Sequence, residues 1–174
     1  MRGVKYLILT VIILSFFGSC MKIEQLPPEP SIEFESFKVF DTTDILGNKS
    51  KAGRLNFRFQ DGDGNIGIYS ADKTGDDTTN LYFTLYRKEN GVMVEVPEDD
   101  IMRPSSYRIP YMERTGQNKI LKGTITVTFL YFFYSPAEND TIKYDFYLKD
   151  RADNFSNTAS TCEIPLSFNN LYKN

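Results

Sequence analysis

Two runs in the C-terminal third leave this chain little choice of fold. In "ILKGTITVTFLYFF", residues 120–133, Leu121, Ile125, Val127, Phe129, Tyr131 and Phe133 alternate with Lys122, Thr124, Thr126 and Thr128. In "TIKYDFYLKD", residues 141–150, Ile142, Tyr144, Phe146 and Leu148 alternate with Lys143, Asp145, Tyr147 and Lys149. Successive side chains of a strand point to opposite faces, so this period of two predicts strands with one face buried. The same pattern recurs upstream. Leu55, Phe57 and Phe59 form one face of "RLNFRFQ", and Leu81, Phe83 and Leu85 form one face of "NLYFTLYRK". "SIEFESFKVF" starts with Ile32 and Phe34 in phase, then shifts to Phe37 and Val39, which predicts a β-bulge near Glu35–Ser36. "GVMVEV" places Val92, Val94 and Val96 together, and Glu89-Asn90-Gly91 before it carries hairpin chemistry, because Asn-Gly tolerates positive φ. Residues 107–112, "YRIPYM", read as a short edge strand, since Pro110 cannot donate to a ladder. A last strand is expected over about Thr158 to Leu166, with Ser160, Cys162 and Ile164 on one face. No segment has a helical period, and no repeat or second domain boundary is visible. Seven to eight short strands separated by turn signals predict an all-β, antiparallel β-sandwich over residues 31–174.

The N-terminus has a different character. Arg2 and Lys5 precede the apolar run "YLILTVIILSFF", which is short for a bilayer span and leads into Gly18-Ser19-Cys20. "FFGSC" resembles the lipobox of bacterial lipoproteins, with Phe17 where Leu is more usual. The resemblance implies a signal peptide over residues 1–19, cleavage before Cys20, and acylation of Cys20. Multiple acyl chains hold a protein stably on a membrane. Residues 20–30 then combine the lipidated Cys with a tether in which Pro27, Pro28 and Pro30 favour an extended spacer. Met21 follows Cys20 where an Asp would imply retention at the inner membrane. The resemblance therefore implies an outer-membrane lipoprotein of the cell envelope, on either the periplasmic or the surface face.

A second resemblance lies at the other end. "NDTIKYDFYLKDRADNFSNTA", residues 139–159, resembles the end of immunoglobulin-like and fibronectin type III-like domains. In those folds a Tyr opens the penultimate strand and a "D-x-A-G-N-x-S" type loop leads into the last. Tyr144 would be the corner tyrosine, and Asp150, Ala152, Asn154 and Ser156 would match the loop, with Asp153 standing where the family often has Gly. Together with "FQDGDGNIGI" and "YRIPYMERTGQNKILKGTITV", this stretch is similar to a class of Bacteroidota cell-envelope lipoproteins. That similarity spans nearly all of the mature chain and implies an immunoglobulin-like sandwich without implying an activity.

Composition narrows the functional classes. The chain contains 23 acidic and 20 basic residues and no His. Cleavage before Cys20 would remove two basic residues and no acidic one. With no basic run, nucleic acid is not an expected partner. Without His there is no Ser-His-Asp or Cys-His arrangement and no His-ligated zinc. No phosphate loop or dinucleotide fingerprint is present. A glycosidase needs only two carboxylates, but none among the 23 is singled out. Cys162 is the only other Cys; with Cys20 acylated it has no disulfide partner, and it reads as a small buried residue.

Two features remain as candidate sites. "DGDGNIG", residues 61–67, spaces Asp61, Asp63 and Asn65 like the first ligands of a Ca²⁺ loop. Position six is Ile66 instead of Gly, position twelve is Asp72 instead of Glu, and the flanks read as strands, so an EF-hand is not expected. In a sandwich this loop and "DRADN" would lie at one end. Asp61, Asp63, Asn65, Asp150 and Asp153 could then converge on a Ca²⁺ ion. The alternative is a set of turn formers, with Arg151 offsetting the carboxylates. The other feature is "TFLYFFYSP", which is apolar on both faces and offers Tyr131 and Phe133 as candidate binding residues. The leading expectation is a membrane-anchored, non-catalytic binding or structural module whose partner is an envelope protein. The rivals are a glycan- or nutrient-binding accessory of an outer-membrane uptake system and a carboxylate-dependent hydrolase.

Overall fold

A computed structural model describes residues 26–69, 79–113, 119–132 and 140–173. They form nine strands: β1 (Ser31–Thr43), β2 (Lys49–Asp61), β3 (Leu81–Glu89), β4 (Val92–Glu95), β5 (Leu121–Tyr131), β6 (Thr141–Leu148), β7 (Ala159–Ser160), β8 (Ile164–Pro165) and β9 (Leu171–Lys173). No helix occurs among the described residues. One sheet has the order β5-β2-β1-β9 and the other β4-β3-β6-β7, with β8 also paired to β6. Every strand pairing is antiparallel. The chain changes sheet after β2, after β4, after β5 and again after β8, and the first three crossings are those of an immunoglobulin-like sandwich.

The alternation read from the sequence forms the core. Leu55, Phe57, Phe59, Leu81, Phe83, Leu85, Val127, Phe129, Ile142, Tyr144, Phe146 and Leu148 are all buried. Aromatic rings bridge the two sheets: Phe57 to Phe146 at 5.1 Å, Phe83 to Phe129 at 5.3 Å, and Phe129 to Tyr144 at 4.9 Å between centroids. Edge-to-face and offset pairs of this kind contribute beyond the area they bury. The expected bulge is present: the β1–β2 register slips between Phe34 and Ser36. The extra residue is Glu35. Without it, Phe37 and Val39 would face solvent, because a one-residue slip moves a strand's whole apolar set to the other face. The Asn90-Gly91 turn adopts φ of 50° and 85°, as a tight hairpin between β3 and β4 requires.

Several expectations are corrected. Val92 and Val94 are exposed, and only Val96 joins the core. β4 is an edge strand of four residues, too short and too peripheral to be covered by the opposite sheet. Residues 107–112 form no strand of their own; Tyr107 bridges Leu81, and Pro110 bridges Ile68. The expected final strand is broken into β7 and β8, and its phase is reversed at the start. Ala159 and Thr161 are buried, while Ser160 points outward and donates to Asp145 Oδ1 at 2.5 Å. Cys162 is half-buried, and burial raises its thiol pKa. A further strand, β9, follows the expected last one and pairs with β1 through Ser36, Phe37 and Lys38.

The register also defines two ends. Asp61 lies opposite Leu121, Ser31 opposite Gln60, and Leu81 opposite Leu148. The starts of β1, β3 and β5 and the ends of β2 and β6 therefore share one end, which carries both acidic loops. The Asp44–Asn48 turn and the Asn90–Gly91 hairpin lie at the other.

Candidate functional site

The two acidic loops are built by the same local device. Asp61 Oδ2 accepts the N–H of Asn65 at 2.7 Å and of Ile66 at 3.2 Å, and Oδ1 accepts that of Asp63 at 3.3 Å. Asp150 Oδ1 accepts the N–H of Ala152 and of Asn154, both at 2.8 Å, and Oδ2 accepts Asn154 Nδ2 at 2.9 Å. The Asp44 loop repeats it, with Oδ1 taking the N–H of Leu46 and Asn48 at 2.8 Å and Oδ2 taking Asn48 Nδ2 at 2.9 Å. Each loop reads D-x-x-x-N, and in each the residue before the Asn has positive φ: Gly47 at 85°, Gly64 at 66° and Asp153 at 66°. A carboxylate that collects backbone N–H groups closes a tight loop without help from a cation. Asp153 thus takes up the left-handed backbone for which Gly is the usual residue, and its carboxylate turns outward to Lys149 Nζ at 2.6 Å.

The loops do come together, through backbone and Arg151. The Arg151 N–H donates to Asn65 O at 3.3 Å, and its guanidinium donates to Gly67 O. The buried Asn80 locks the junction. Its Nδ2 donates to Ile66 O at 2.7 Å and to Lys149 O at 3.2 Å, and its Oδ1 accepts the N–H of Ile109 at 2.8 Å. Three chain segments hang on that one amide. Nothing in the sequence marks Asn80 beyond its place one residue before an apolar strand.

The five residues of the expected constellation sit on these two loops. Asp61 and Asp150 are buried and turned into their own loops, and Asp153 faces Lys149. Asp63 Oδ2 accepts Asn65 Nδ2 at 2.8 Å. Asp63 stays close enough to Asp61 that burial and then this neighbouring carboxyl push the Asp61 pKa up. Among the described residues, no group of three or more His, Cys, Asp or Glu side chains is placed to hold a metal ion.

The aromatic candidates also resolve. Tyr131 is buried, and its hydroxyl meets the Tyr144 hydroxyl at 3.0 Å in the middle of the core. Burial pushes both phenol pKa values up. Tyr131 is therefore a core residue, and the exposed side chains of this region are Leu130 and Phe132 on the opposite face. The Tyr144 hydroxyl pairs with another side chain, where a corner tyrosine would bond to backbone. Phe133 and Cys20 lie outside the described residues.

A concavity lies along the strand that carries Tyr131. A groove of about 500 Å³ follows the outer edge of β5, lined by Tyr107, Ile109, Pro110, Met112, Ile125 and Val127 among others. β5 ends its sheet, so the groove lies at an open side of the sandwich. The described residues that line it include Arg108 and several Thr hydroxyls, with no carboxylate and no thiol among them. Comparison with protein families, curated proteins and solved structures finds no match for this chain.

Proposed function

We propose that this protein is a lipoprotein of the cell envelope, anchored to the outer membrane through Cys20, whose sandwich is a non-catalytic binding or structural module for an envelope protein. The groove along β5 is the observation that carries the binding reading. It is largely apolar and open, as ligand and partner sites commonly are. The anchor reading rests on the order of Arg2 and Lys5, the apolar run, Gly18-Ser19-Cys20 and the Pro-rich tether.

Both parts have direct tests. Labelled palmitate is expected to enter the wild-type protein and not Cys20→Ala; equal labelling of the two would end the anchor reading. A pull-down from crosslinked membranes is expected to retain a stable protein partner, and less of it with Met112→Arg. Retention of glycan with no protein partner would favour an uptake accessory, and metal-dependent hydrolysis in a turnover screen would overturn the non-catalytic reading.

A further inference from the structure

The tether joins the sandwich at the end that carries the acidic loops. The N–H of Gly62 donates to Pro27 O at 3.1 Å, and a Cβ on Gly62 would stand 2.3 Å from that oxygen and 2.4 Å from Leu26 O. Residues 26 and 27 therefore lie flush against the Asp61 loop, and only a glycine leaves room for them. Six residue steps separate Leu26 from Cys20, a reach of about 20 Å at full extension. β2 alone has 13 residues, so the sandwich is roughly 40 Å long at about 3.3 Å per residue. A leash half the length of the body cannot let the sandwich stand on its Asn90–Gly91 end, so the loop end stays near the surface on which Cys20 is held.

The tethered end also exposes aromatic rings next to cations. Tyr69 and Tyr111 stack at 4.2 Å between centroids and are 38% and 37% exposed. The Arg151 guanidinium lies 4.9 Å from the Tyr111 ring and 5.8 Å from that of Tyr69. Phe155 is 57% exposed, with Lys149 Nζ 5.7 Å from its ring. Tyrosine rings and snorkelling cations are the side chains that settle at a membrane–water interface. Glu113, beside Tyr69, and Asp153, paired with Lys149, share this end, so the contact depends on the rings more than on attraction to anionic lipid.

We propose that the sandwich rests on the lipid surface by this end, with Tyr69, Tyr111, Arg151 and Phe155 at the headgroup layer and the Asn90–Gly91 hairpin pointing away. This rests on the anchor reading, because the rings alone are too few for stable binding and act through the proximity that the anchor imposes.

The test uses the full lipidated protein, with Cys162→Ser, in vesicles of phosphatidylethanolamine and phosphatidylglycerol that carry a nitroxide on some headgroups. A fluorophore is placed at Ala152→Cys on the tethered end or at Glu89→Cys beside the far hairpin. Quenching is expected to be several-fold greater at 152 than at 89 and little changed by high salt. The combination Tyr69→Ser, Tyr111→Ser and Phe155→Ser is expected to at least halve quenching at 152 while the protein still floats with the vesicles. Equal quenching at 152 and 89 in a protein that floats overturns the orientation and leaves the anchor standing. Flotation of Cys20→Ser to the same extent as the acylated protein overturns the anchor instead.

Discussion

Tyr131 and Tyr144 show how much one hydroxyl can depend on another. Both side chains are buried between the sheets and their oxygens meet at 3.0 Å. Removing one hydroxyl leaves the other as a buried polar group that has lost a partner, which costs about 1–3 kcal/mol, whereas removing both leaves an apolar core of nearly unchanged shape. Tyr144→Phe and Tyr131→Phe are each expected to destabilise the protein by that order. The double variant is expected to recover much of the loss. A double-mutant cycle from urea denaturation checks this, and additive losses would show that the pair is not coupled. Tyr131 was legible as an inward residue of an alternating strand. Its company was not, because the two tyrosines belong to different sheets and only their packing puts the hydroxyls face to face.

At the scale of elements, the loops are as regular as the strands. The D-x-x-x-N spacing occurs at Asp44, Asp61 and Asp150, with positive φ at the fourth residue each time. That repeat could have been read from the sequence, and it marks the Asp of each loop as the residue that collects the loop's N–H groups. The three loops differ in burial, and their energetics should follow. Asp150 is buried, whereas Asp44 lies in an exposed turn. Asp150→Ala removes a buried carboxylate and the acceptor of the partly buried N–H groups of Ala152 and Asn154, and is expected to cost about 1–3 kcal/mol; Asp44→Ala, whose exposed N–H groups turn to water, is expected to cost less than about 1 kcal/mol. Thermal or urea unfolding of the two variants measures the difference, and equal losses would count against it. The strands misread from sequence fail for a common reason. Val92 and Val94 carry the apolar pattern of an inward face, but β4 is an edge that the other sheet does not cover. β9 is three residues long and exists because β1 offers it an unpaired edge.

For the whole molecule, the question of a cation becomes one of stability. A ligand that binds only the folded state raises the melting temperature according to its concentration and affinity. Because Asp61 and Asp150 serve their own loops and Asp153 is held by Lys149, melting curves in millimolar Ca²⁺ and in chelator are expected to coincide. A midpoint that climbs with Ca²⁺ concentration would establish a cation site. The sequence by itself determined the strands of the core, the bulge in β1 and the Asn-Gly hairpin, since alternation and turn chemistry act between near neighbours. It also carries the lipobox-like stretch around Cys20 on which the proposed anchor rests. Tertiary structure alone decided which strands became edges, that Arg151 and Asn80 join the acidic loops, that the Tyr131 and Tyr144 hydroxyls meet, and that Pro27 lies against the Asp61 loop. Those outcomes depend on groups brought together from distant parts of the chain, and no local pattern records which groups will meet.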